Sequence, residues 1–481
     1  MAHRHGIYGR EQATSLVPMT ETEAGLVAAF GTAPIHLASG EAAVNRPVLC
    51  YDYKEAVAAL GYSDDFGKFT LCEVMKSHFA LFNMAPVIFV NVLDKARHKK
   101  TERKKKLIVA DGVAVAEDMI LLDTLTVFRS ETGGTLVKDV DYTAAHDDDG
   151  NVVITALEGG NMPSDAVYID FTAVDPSAVT ASDIVGGVDL DTGDLEGLEL
   201  IEEIYPRFGL VPGIIIAPGW SHDTTVAAVM KAKTTNINGH FSTIAIADLP
   251  TGTVNTYTKA SEWKNRNNFV DSRLLATWPL VSLGGQKYHI STQLAGIMNK
   301  TDAQHEDIPY YSPSNKNLQA DSAVLEDGKE VFLSSAQAAY LNGQGIVTAL
   351  NFVGGWKAWG NRTTAYPSNT DVKDNFIPIR RMFHWVLNTL ITTFWSKIDD
   401  PTNKRLIESV MDSANIWLNG LTAAGALLGG RVEFRNDENP QTDLMDGKIK
   451  FHVYMTPPSP AREIEFVQEY DPAYIATLFA V

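Results

Sequence analysis

The 481-residue sequence holds only two cysteines, Cys50 and Cys72, both in apolar surroundings. Two thiols cannot make a disulfide framework, so they read as reduced core residues of a protein made in a cytoplasm. Long apolar runs are missing as well. The most apolar extended segment, Met382 to Trp395, is short and interrupted by His384, Asn388, Thr389, Thr392 and Thr393, which excludes a membrane span. The opening MAHRHGIYGREQ has no apolar core of the kind a secretory signal carries. Positive charge is scarce: 40 Lys and Arg stand against 59 Asp and Glu, a net charge of −19. A dedicated nucleic-acid binder neutralises phosphates with Lys and Arg, so this balance argues against that class. No glycine loop ends in the Lys-Ser or Lys-Thr that a phosphate loop needs. Neither composition nor spacing calls for a cofactor or a metal.

What is present is an ordinary globular composition, 45% hydrophobic and 21% charged, in a chain long enough for two to four domains. The stretch Leu341 to Thr363 stands out, with Gly343, Gly345, Gly354, Gly355 and Gly360 set around a β-prone run. Glycine serves where the backbone needs a positive φ or a close approach, while Trp356 and Trp359 add apolar area with a polar edge. A glycine-rich strand–turn–strand with buried tryptophans is the expectation there.

Along the chain, residues 1–23 lack periodicity and read as an arm that needs tying down. LVAAFGTAPI from Leu26 reads as a buried strand and turn, and Tyr53–Leu60 as a short helix. Leu71–Phe82 reads as another helix with Val74, Met75, His78, Phe79 and Phe82 inward, and PVIFVNVL from Pro86 as a strand buried on both faces. Lys95–Lys106, with eight Lys or Arg, reads as a solvated connector. Beyond it, LTVFRS, NVVITAL and AVYIDFTAV are strand candidates of an inserted β-rich unit. HDDDGN, and Asp189, Asp191, Asp194 and Glu196, invite a calcium reading, but neither has the loop spacing, and both fit turns and caps better. From Leu195 the helix–strand alternation returns through GIIIAPGWS, TVAAVMKAKT, FSTIAIADLP and LLATWPLVSL, predicting a largely parallel sheet covered by helices. Ile379 to Phe394 carries a broad apolar stripe, and a second helix runs from Pro401 to about Leu428. Arg380 and Arg381 open the first of these helices, where the dipole disfavours cations, so they should answer to an acidic partner. KIKFHVYMTP and REIEFVQEY alternate as strands, and the apolar end YIATLFAV must pair with something.

The fold class that follows is α/β and α+β multidomain: a mixed sheet core with helices, an inserted β-rich domain and extended terminal arms. The expected divisions are an arm at 1–23, core at 24–106 and 191–365, the insertion at 107–190, an α+β region at 366–460 and a second arm at 461–481. Strand ends of such a sheet are where an enzyme would place chemistry, which draws attention to Ser221, His222, Asp223 and Asp248. Three consecutive side chains cannot form a nucleophile–base–orienter line, and a turn with a helix cap is the better reading of Ser221–Asp223. An α/β enzyme acting on a small polar substrate around these residues stands as the alternative.

Several stretches together resemble the tail sheath proteins of contractile-tailed phages and of related bacteriocins and injection systems. They are NGQGIVTALNFVGGWKAWGNRT, IPIRRMFHWVLNTLITTFW, LTAAGALLGG and KIKFHVYMTPPSPAREIEFV, with VAAFGTAPIH and NRPVLCYDYKEAVAALGYSDD near the start. The resemblance covers about 25–95 and 195–481 and implies a structural subunit without an active site, located in a virion tail or tail-like particle. Such subunits form a helical array around an inner tube, between baseplate and terminator proteins, whose shortening drives the tube through a cell envelope. Neither nucleic-acid binding nor membrane insertion belongs to that role. Gly343, Gly345, Gly355, Trp359 and Gly360 carry the family motif. The resemblance also implies terminal arms that add strands to a neighbour's sheet, placing Tyr8, Val17, Ile464 and Phe466 between subunits, and it sets Arg380 and Arg381 near the tube.

Overall fold

The structure, a computed structural model, describes residues 16–479. Its centre is a nine-stranded sheet in the order Lys316–Asn317, Trp356–Trp359, Ile346–Asn351, Leu274–Thr277, Ile244–Asp248, Ile214–Ile216, Val27–Gly31, Val87–Asn91, Val48–Cys50. The six strands from Ile346–Asn351 to Val87–Asn91 run parallel, and the edges are antiparallel. Val27 lies between Ile214 and Val87, and Ile214 pairs with Ile244. Runs such as VIFVN, III and IAIAD are apolar on both faces because helices cover both sides of a parallel sheet, and every residue in them is buried. Helix Ile290–Ala303 is buried along nearly its whole length, which explains its weak amphipathic pattern.

Several local expectations change. The Leu71–Phe82 helix is α-helical only over Thr70–Met75 and continues as a π-helix, Lys76–Phe82. Pro279 splits LLATWPLVSL: Leu274–Thr277 stays in the central sheet, while Leu280–Leu283 joins an antiparallel sheet with Gln286–His289 and Ser322–Val324. The helix expected from Leu195 begins only after a two-residue strand and a 3-10 turn, at Ile201.

Most of the basic run is not a connector. Lys99–Ile108 is a strand paired antiparallel with Ala166–Val174, from Lys99 opposite Val174 to Ile108 opposite Ala166. It forms one edge of its three-stranded sheet, where lysines deter pairing with foreign strands. A bulge at Glu102–Lys105 puts Lys104 at φ 52°, its N–H on the Asp170 carboxylate (2.7 Å) and its ammonium over the Phe128 ring. Leu107, Ile120, Val127, Ile154, Val167 and Ile169 form a core here that is separate from the central one. Asp147 and Asp189 accept hydrogen bonds from backbone N–H groups two to four residues ahead, so both acidic clusters are Asx-type turns.

Near the C-terminus, helices Ile377–Phe394 and Lys404–Ala423 pack with a hairpin, Gly429–Phe434 paired with Phe451–Thr456, around Met382, Trp385, Val386, Ala414 and Leu418. The second helix starts at Lys404 rather than Pro401, because Asn403 caps it by accepting from Leu406 N–H (3.0 Å).

Candidate assembly surface

The glycine-rich motif is a hairpin on the edge of the central sheet, Thr348 opposite Trp359 and Asn351 opposite Trp356. Gly345 (φ 70°) lies where a side chain would meet Thr363 O at 2.5 Å and Tyr366 O at 2.7 Å. Gly360 (φ 145°) lies against Val347 and the Asn342 side chain, and Gly355 turns the hairpin tip at φ 90°. Gly343 needs no such freedom: it ends helix Ser335–Asn342 in ordinary helical conformation. The Asn342 amide, oriented by its neighbours, donates to Ile346 O and Trp359 O and accepts from the Trp359 indole. These residues hold the hairpin rigidly; Phe352 and Val353 at its tip stay exposed.

At the strand ends, Asp248 is buried and its carboxylate accepts from Ser221 Oγ (3.2 Å), Thr277 Oγ1 (2.6 Å), Ser291 N (3.0 Å) and Ser291 Oγ. Ser221 Oγ also accepts from Asp248 N (3.0 Å). The serine hydroxyl is thus fully engaged by Asp248 and is 0% exposed, so it faces no substrate. Asp223 caps helix Thr224–Ala232 through Thr225 N and Val226 N, and His222 is exposed beside them. Ser221–Asp223 therefore forms a structural staple and a cap. Nearby, Glu73 accepts from both His289 N and His289 Nδ1, each at 2.7 Å. Burial pulls the His289 imidazole down, but the Glu73 charge and hydrogen bond outweigh it and carry its pKa up to about 9.

The arms are the other candidates. Tyr8 lies outside the described residues. Residues 17–22 form an extended strap across the two C-terminal helices. Val17 N–H donates to Ser413 Oγ (2.9 Å), Thr20 N–H to Thr393 Oγ1 (2.8 Å), and Thr392 Oγ1 to Thr20 O (2.9 Å). Trp385 Nε1 donates to Thr22 O (2.7 Å) and Trp417 Nε1 to the Glu21 carboxylate (2.8 Å). Val17 is therefore held by its own chain through Ser413, and threonines and tryptophans of these helices hold residues 20–22 in the same way. Of the polar residues that interrupt the apolar segment 382–395, Thr389, Thr392 and Thr393 have this task, while Asn388 bonds Ser242 N and O.

Arg381 points into the molecule. It is 3% exposed, paired in bidentate fashion with the buried Asp302 and donating to Ala24 O at 3.0 Å. Its acidic partner lies inside the molecule, so it cannot face a tube. Arg380 is partly covered, paired with Asp374 (3.1 Å) and lying over Phe383.

At the other end of the chain, Asn415 bonds both Val432 N (2.8 Å) and Val432 O (3.0 Å), which closes the outer edge of Gly429–Phe434. Val432 thus points its backbone away from Val453, its partner, so Val453 in turn points away from Val432. Among the described residues nothing pairs with this outer edge of Phe451–Thr456. After the link 457–460, residues 461–470 leave without secondary structure, with Ile464 and Phe466 exposed, Phe466 at 87%.

No family model matches the chain. Among curated proteins it resembles the tail sheath protein of Burkholderia phage BcepMu, 27% identical over 491 residues that cover 98% of each chain. A putative prophage major tail sheath protein of Pseudomonas aeruginosa is 24% identical over 321 residues, 66% of this chain and 79% of that one. Both relatives are tail sheath proteins, and the first matches this chain over nearly its whole length. A sheath protein is a structural, non-enzymatic subunit of a tail particle, in keeping with the engaged hydroxyl of Ser221. The fold also matches the contracted sheath complex of the PVC extracellular contractile injection system, with a TM-score of 0.60 at 12% identity, covering 98% of this chain and 99% of that one. The contracted helical sheath of the anti-feeding prophage gives 0.55 at 15% identity, covering 98% and 100%.

Proposed function

We propose that the outer edge of Phe451–Thr456 takes up the C-terminal arm of a neighbouring copy, and that this joint links sheath subunits into a helical array that shortens around an inner tube. The unpaired edge carries the reading. It presents backbone donors and acceptors at Phe451, Val453 and Met455, while the other edge is closed by Asn415. The arm supplies a matching alternation. Ile464 and Phe466 extend the face of Phe451, Val453 and Met455, which packs on the helices, and Glu463 and Glu465 meet the face of Arg431, His452 and Tyr454. A head-to-tail contact of this kind does not close on itself, so it grows a filament.

An extended arm also keeps subunits linked through a large rotation, which a flat interface would not. Baseplate, terminator and tube proteins are the expected partners at the ends and along the inside of such an array. Negative-stain electron microscopy of the full-length protein beside Ile464→Asp/Phe466→Asp tests the joint. Tubes from the parent and dispersed monomers from the variant are expected; tubes from both refute the pairing.

A further inference from the structure

The residues after the proposed joint lead to a second contact. Pro472–Phe479 is a 3-10 helix with Tyr474, Ile475 and Leu478 exposed. Residues three apart eclipse one another in a 3-10 helix, so Ile475 and Leu478 form one apolar ridge. Elsewhere on the chain, Ile407, Met411, Phe434, Leu444 and Met445 line an open apolar groove of about 580 Å³. It lies between the start of helix Lys404–Ala423 and the short helix Gln441–Met445, and Met445 is 85% exposed.

We infer that this groove receives the terminal ridge, Ile475 and Leu478, of a neighbouring copy. The inference rests on the strand joint proposed above and extends it. Phe434, on the groove wall, sits directly opposite Phe451 in the hairpin. The groove is therefore at the Phe451 end of the open edge, while the chain's own tail departs from the Thr456 end, about 17 Å away at 3.4 Å per residue. A neighbour's arm running antiparallel to Phe451–Thr456 sets residues 463–468 against 456–451. Residues 469–471 then span about 10 Å beyond Phe451, and Pro472–Phe479 arrives at the groove. A parallel arm would carry the ridge to the opposite end. Unbranched Met411 and Met445 suit a groove that an incoming segment must fill. Both exposed apolar surfaces, ridge and groove, are covered in one step.

The test is thiol cross-linking in a mixture of two full-length chains, one with Met445→Cys and one with Leu478→Cys. Cys50 and Cys72 are buried and stay silent. A short bis-maleimide should join the two chains into a covalent heterodimer in assembled tubes, and Leu478→Asp should abolish that product. Tubes that form without the cross-link overturn the groove contact and leave the strand joint standing. Concentrated protein giving neither tubes nor cross-link refutes both. A link found only within one chain carrying both cysteines makes the ridge its own partner and overturns the inference. Protection of Met445→Cys from alkylation in tubes of a chain ending at 471 would assign the groove to another segment, again overturning it.

Discussion

Replacing Arg381 by methionine tests what the two C-terminal helices and the strap depend on. The guanidinium donates twice to Asp302 and once to Ala24 O, and both charged groups are almost fully buried. Burial pushes the Asp302 carboxyl up from its ordinary range, against the pull of Arg381, so the intact pair adds little net stability. Its removal on one side is another matter. Arg381→Met leaves a buried carboxylate and a buried carbonyl without their donor, a loss of about 3–5 kcal/mol. For a cooperative unit of 150–250 residues at roughly 2–4 °C per kcal/mol, the melting temperature should fall by about 6–20 °C. Tryptophan fluorescence follows this unit directly, since Trp385 lies one turn further along and holds Thr22 O. The double variant Arg381→Met/Asp302→Leu removes both charges and should recover most of the loss. The reasoning fails if the single variant melts within about 2 °C of the parent, or if the double variant is worse than either single one.

Other outcomes follow from the same contacts. Gly345→Ala should destabilise the motif hairpin more than Gly355→Ala, because its new methyl meets two carbonyl oxygens while Gly355 faces open space; thermal melts of the two variants decide it. Asp248→Ala should lower stability by about 2–4 kcal/mol by orphaning four donors, read as a fall in melting temperature, whereas His222→Ala should change it little. Burial, then the neighbouring His146, holds the His36 pKa down to about 3, and burial holds that of His78 down to about 4. Stability from these neutral histidines is complete above pH 6.5 and is lost as pH falls below it, while that from the Glu73–His289 pair is complete below pH 6.5 and is lost as pH rises through about 9. Melting temperature against pH should therefore peak near pH 6.5 and fall on either side, and His36→Phe should flatten the acid side.

Local signals revealed much of this molecule. VIFVN, III and IAIAD announce buried parallel strands because β-branched runs without polar alternation fit little else. The motif hairpin was legible from its glycines and tryptophans. What stayed hidden depends on distant partners. Arg381 looks exposed until Asp302, 79 residues away, is placed beside it. Lys99–Ile108 has the composition of a solvated linker, and only its pairing with Ala166–Val174 makes it a strand. The threonines at 389, 392 and 393 look like breaks in an apolar run until the strap lies across them. Ser221 and Asp248 are brought together as expected of neighbouring strand ends, but as a staple.

The ladder of Lys99–Ile108 with Ala166–Val174 has a last consequence. Lys99 and Val174 stand side by side, so the inserted unit joins the body there rather than at 107 and 190; Val179 and Ile184 already belong to the central core. The body thus meets some seventy residues as though they were one hairpin loop. Beyond small contacts such as that of His36 with His146, whatever lies between has its own core. Changes confined to that stretch leave the residues of the central core and of the C-terminal helices untouched.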